Sequence, residues 1–113
     1  MAYDPGLAQI LRDALTGETV TEQKMMGGLS FMWHGHMLCG VHKNGAMFRV
    51  GAPNHAAALA LKGVQPMTFT GKSMAGFVDC SDEACADDPT RSQLLTMAKT
   101  FVSTLPPKGG HHD

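Results

Sequence analysis

The sequence predicts an α+β fold of order α-β(3)-α-β(2)-α, one antiparallel sheet with its helices on one face. Three observations carry this. An amphipathic stretch opens the chain, alternation broken by turn signals fills residues 23–50, and a second amphipathic stretch closes it. A single sheet covered on one side buries the apolar faces of that order economically.

Each element has its own signal. In the first helix Asp4 is placed to cap and Pro5 suits the first turn, where a missing N–H costs nothing. Leu7, Ile10, Leu11, Ala14 and Leu15 fall on one helical face, and Gly17 stops the run. In the meander, Gly27-Gly28 reads as a bulge or close backbone approach within the first strand, which continues as Leu29 to Trp33. His34-Gly35 is a turn signal, Met37 to Val41 the next strand, Asn44-Gly45 a hairpin signal, and Ala46 to Val50 the third strand. Pro53 opens a short helix through Ala56 to Leu61, which Gly63 ends. Residues 66–70 and 74–80 read as a strand pair joined around Gly71-Lys72. The last helix starts near Asp88-Pro89-Thr90, with Thr90 and Gln93 at capping-box spacing. Leu94, Ala98, Phe101 and Leu105 form its apolar face, and Pro106 ends it.

At 113 residues the chain has the length of one domain, expected over residues 1–108, with 109–113 a flexible tail. Its 43% hydrophobic content is that of a globular chain, not of one disordered throughout or of a fibre. A net charge of −1 with dispersed Lys and Arg argues against specific duplex binding. There is no bilayer-length apolar run, no signal-peptide pattern at the start, and no disulfide spacing among Cys39, Cys80 and Cys85. A cytoplasmic location with reduced thiols is the expectation.

Few patterns carry chemistry. His34-x-His36-x2-Cys39-x2-His42 has metal-ligand residue types, but His36 and His42 lie about 20 Å apart on one strand and Cys39 has inward parity. His34 and His36 flank a turn and provide only two ligands. Cys80-x4-Cys85 lacks a second pair. Cys39 with His42 or His55 has the residue types of a nucleophile and base, without a supporting motif. The acidic run Asp79, Asp82, Glu83, Asp87 and Asp88 lacks calcium-loop spacing and precedes a helix, where acids favour the positive dipole end. No catalytic, cofactor-binding or metal-binding residue is assigned, and no cofactor is expected.

Strand parity assigns faces. Leu29, Phe31 and Trp33, then Met37, Cys39 and Val41, then Ala46, Phe48 and Val50 are expected under the helices. The opposite face would carry Ser30, Met32, His34, His36, Leu38, His42, Met47 and Arg49. Two readings of that face compete: scattered exposed apolar residues, or a soft contact surface. The candidate partner surface is Met32, Leu38, Met47, His36 and Arg49, and its partner another protein or a second copy of this chain.

At Lys24-Met25-Met26-Gly27-Gly28-Leu29-Ser30-Phe31, at Met47-Phe48-Arg49-Val50-Gly51, and at Pro66 to Val78 (PMTFTGKSMAGFV) the sequence resembles the amino-terminal domain of the TfoX (Sxy) competence-regulator family. The resemblance runs from about Met1 to Lys108. Met26 stands where the family often has an aromatic residue. The resemblance implies a secretion-chaperone-like fold and a part in transcriptional coactivators that work with a cyclic-AMP receptor protein. It supplies no established catalytic residues. Full-length members carry a carboxy-terminal domain, which 113 residues are not expected to accommodate. The expected function is therefore a non-enzymatic regulatory or protein-interaction module. The alternative is a small enzyme or metal-binding protein using the His34 to His42 segment.

Overall fold

The computed structural model describes residues 3–25, 27–43, 45–69 and 72–106. The expected turn residues Asn44 and Gly71 and the tail 109–113 lie outside the described residues. Helix α1 (Pro5–Ala14) leads into strands β1 (Val20–Met25), β2 (Gly28–Trp33), β3 (His36–His42) and β4 (Gly45–Arg49). A 3-10 turn over Ala52–Asn54 and helix α2 (His55–Leu59) precede β5 (Val64–Phe69) and β6 (Lys72–Cys80). Helices α3 (Asp82–Ala86) and α4 (Asp88–Val102) follow. All five strand pairings are antiparallel, in one sheet of order β1-β2-β3-β4-β6-β5.

The α+β class and the antiparallel sheet agree with the sequence reading. The meander has one strand more than expected. Val20–Met25 doubles back and pairs with β2 from Met25↔Gly28 to Val20↔Trp33, so the glycine pair marks a reversal rather than a bulge. His34-Gly35 closes the next hairpin with positive φ at both residues, 55° and 81°, the backbone that a two-residue loop needs to match strand twist.

Local chemistry explains the helix ends. The Asp4 carboxylate accepts from the backbone N–H of Gly6 at 2.8 Å and of Leu7 at 3.4 Å. Ser81 Oγ accepts from Ala84 N–H and caps α3, a short helix set within the acidic run. The cap of α4 is Asp87 rather than Thr90: its carboxylate accepts from Thr90 N–H at 3.2 Å and Thr90 Oγ1 at 2.7 Å. Those two bonds hold the Asp87 carboxyl below the usual carboxylate range.

One apolar cluster joins the helices to one face of the sheet. It includes Leu7, Leu11 and Leu15 from the α1 region, Ala58 from α2, Cys85 from α3, and Leu94, Ala98 and Val102 from α4. They meet Phe31, Cys39, Val41, Phe48, Val78 and Cys80 of the sheet. Each fully buried Leu contributes about 2–3 kcal/mol by area.

Here the structure corrects three face assignments, those of Leu38, His36 and Met37. Phe31 pairs with Cys39, but the next pair is Met32↔Met37, so Leu38 is an extra residue in β3. Such a bulge shifts side-chain parity for everything beyond it. Leu38 therefore turns into the core, where its relative exposure is 0%. His36 moves to the helix side opposite Trp33, which packs against the core, and its Nε2 lies 2.6 Å from Pro106 O. Met37, expected in the core, moves out.

Candidate functional site

The residues with chemical potential diverge. Cys39, Cys80 and Cys85 are free and buried in the core, where Cys85 of α3 lies near the other two. Burial pushes the Cys39 thiol far up, Cys80 up to about 12, and Cys85 up to about 11 against the pull of Arg91. A thiol held protonated is a poor nucleophile and a poor metal ligand. His42, a neighbour of Cys39 in sequence, has the opposite parity on β3 and lies on the other side of the sheet, hydrogen-bonded to Asp79. His55 begins α2, and its Nε2 is buried without a hydrogen-bond partner. His34 is exposed in the hairpin loop and packs on Trp33, with ring centroids 4.4 Å apart. The histidines and cysteine of the His34 to His42 segment thus occupy a loop, the helix side, the core and the uncovered face.

The thiols set an alkaline limit. In the folded chain they keep their protons to higher pH than the ordinary value of 9.0. Their contribution is complete below pH 9.0 and is lost as pH rises through about 11 for Cys85 and about 12 for Cys80. Thermal melts from pH 7 upward should show Tm falling progressively above pH 9. A Tm unchanged up to pH 11 would show that the buried thiols do not couple to folding.

An open groove of about 390 Å³ runs between α1 and the α3–α4 corner, lined by Ile10, Asp13, Ala14, Ala86, Asp88 and Arg91. Its polar groups are already paired. Arg91 donates to Cys85 O and Asp88, and Asp13 accepts from Gln9.

The other face of the sheet is the larger feature. One row crosses all six strands through register pairs: Gln23, Ser30, Gly40, Met47, Asp79 and Gln65. Beside it Thr21, Met32 and Met37 form a second row. Met32 and Met37 are half-buried, and Met47, 7% exposed, lies outside the core cluster. Met32 and Met47 share the face, as expected, and Met37 takes the place expected of Leu38. The missed signal was the run Met37-Leu38-Cys39, which is apolar throughout and contains no alternation.

Polar groups flank the methionines. His42 Nε2 lies 3.0 Å from Asp79 Oδ1, a contact that spans β4. The residue opposite His42 on β4 is Gly45, which puts no side chain in the way. Arg49, paired with Phe77, holds its guanidinium 5.6 Å from the Phe77 ring centroid and 5.7 Å from that of Phe101 on α4. Among the described residues no helix is long and apolar enough to cross a membrane.

The family model of the TfoX N-terminal domain matches residues 10–101 of the chain. No curated protein and no solved structure matches.

Proposed function

Starting from the fact that the chain belongs to the TfoX N-terminal domain family, we propose that it is a non-enzymatic regulatory module of the cytoplasm. On this reading it works by binding another protein through the uncovered face of its sheet. The observation that carries the reading is the placement of Met32, Met37 and Met47 together on the face away from the helices. A sheet exposed on one side is ordinarily polar there, and methionine offers a flexible, polarisable contact suited to a varied apolar partner. The His42–Asp79 pair gives the face a polar fixed point that orients a partner, while the Arg49 guanidinium is engaged by Phe77 and by Phe101 of α4. The regulatory part of the reading follows from the family. The protonated thiols support the non-catalytic part, since neither Cys39 nor Cys80 carries an activated nucleophile.

The test is comparative affinity capture from cytosol, with wild type and the double variant Met32→Asp plus Met37→Asp. Two carboxylates in an apolar contact should remove the captured partner, with a loss of about tenfold or more in recovery. Circular dichroism of the variant checks that the fold is kept. An identical captured set from a folded variant would sink the reading.

A further inference from the structure

We propose that β1 is a self-pairing edge, through which two copies of this chain join antiparallel in the register centred on Gln23. The sheet has two edge strands, β1 and β5. Pro66 lies within the pairing of β5 with β6 and has no N–H to offer a neighbour. β1 contains no proline and runs through six consecutive pairs with β2 without a register shift. Its Thr21, Glu22, Gln23 and Lys24 are exposed. Such an edge presents a row of unpaired backbone donors and acceptors.

Symmetry restricts the pairing. Residues directly opposite in an antiparallel pair point to the same face, so a twofold axis must pass through a residue rather than between two. An axis at Glu22 sets two carboxylates against each other, and one at Lys24 sets two ammonium groups together. An axis at Gln23 places Glu22 opposite the partner's Lys24, and Lys24 opposite the partner's Glu22. The strand is thus complementary in charge to itself in one register and repulsive in the two adjacent allowed ones. Glu22 is held in place by Arg12, whose Nε and Nη2 reach its two carboxylate oxygens at 2.5 and 2.8 Å, so the partner's Lys24 shares a carboxylate that is already paired and each cross-axis charge pair is weak. Glu22 and Lys24 pair with Phe31 and Leu29, so both charge pairs lie on the helix side of the sheet. The contact is therefore separate from the methionine face. Six residues on each side make a small interface, so the association is weak.

Sedimentation equilibrium of the full chain across a concentration series, combined with amide hydrogen exchange, tests this. The expected result is a concentration-dependent dimer whose β1 amides become more protected as the dimer forms. Lys24→Glu turns two attractive pairs into repulsive ones and should weaken the dimer about tenfold or more. Adding Glu22→Lys to that variant restores opposite charges across the axis but gives up the Arg12 ion pair, so it should recover the dimer in part, measurably above the single variant. Circular dichroism checks the fold of both variants. If either misfolds, the wild-type dimer should still weaken as salt rises, because its charge pairs are exposed. A wild type that stays monomeric to about 1 mM would overturn the proposal. So would a folded Lys24→Glu variant that dimerises like wild type, a salt-independent dimer, or a dimer whose new protection falls on the methionine face and not on β1.

Discussion

Leu38→Asp should unfold the chain, while Met37→Asp, one residue away, should leave it folded. Leu38 has no exposed surface and belongs to the core cluster beneath the helices. Removing its packing costs about 2–5 kcal/mol. Burying a carboxylate without a partner adds several more, and the sum is comparable to the whole stability of a small domain, about 5–15 kcal/mol. Met37 sits half-buried on the uncovered face opposite Met32, where a carboxylate keeps access to water and the cost is about 1–2 kcal/mol. Urea unfolding of the two variants separates the cases. If β3 ran without its bulge, Met37 would be the buried residue and the two outcomes would exchange.

Gly45→Ala should be the most damaging single-methyl addition among the strands. Two costs coincide there. The φ of Gly45 is 136°, a backbone region that L side chains rarely adopt, and a Cβ would lie 2.3 Å from the backbone oxygen of Cys80. That oxygen belongs to the adjoining strand β6, so relief of the collision pulls β4 from β6. The combined loss should be about 3 kcal/mol or more. Gly17→Ala is the control. Its φ is 97°, but nothing lies within 4 Å of the added methyl, so only the backbone cost of about 1–2 kcal/mol remains. Equal chemical-denaturation midpoints for the two variants would show that the close approach at Gly45 carries no weight.

Much of the fold could be read from the sequence because it is written in local chemistry. The Asp4-Pro5 start, the Leu7, Leu11 and Leu15 part of the first helical face and the His34-Gly35 turn each depend on neighbouring residues, and each appears in the structure, whereas burial in β4 does not alternate: Gly45 to Phe48 are all buried. Three features escaped because the sequence leaves them degenerate. The apolar run Met37-Leu38-Cys39 does not say which residue is the extra one, and only pairing with β2 picks Leu38. That choice replaced Leu38 by Met37 on the candidate face and moved His36 to the helix side. Gly27-Gly28 permits either a bulge or a reversal, and the exposed polar run Thr21 to Lys24 gives little hydrophobic signal to decide between them. The acidic run reads in sequence as a helix entry alone, whereas Ser81 and Asp87 each cap a helix within six residues of one another.

Pro66 bears on how far an assembly of this chain can grow. A sheet with two receptive edges adds copies without limit, because each arrival presents a fresh edge to the next. When two copies meet through β1, the only edges left in the joined sheet are the two β5 strands, and each holds a proline where a further strand would seek a donor. Growth therefore stops at two, and the product is a closed pair instead of a fibre. Replacing Pro66 would remove that terminus, exchanging a finite particle for one whose size rises with concentration.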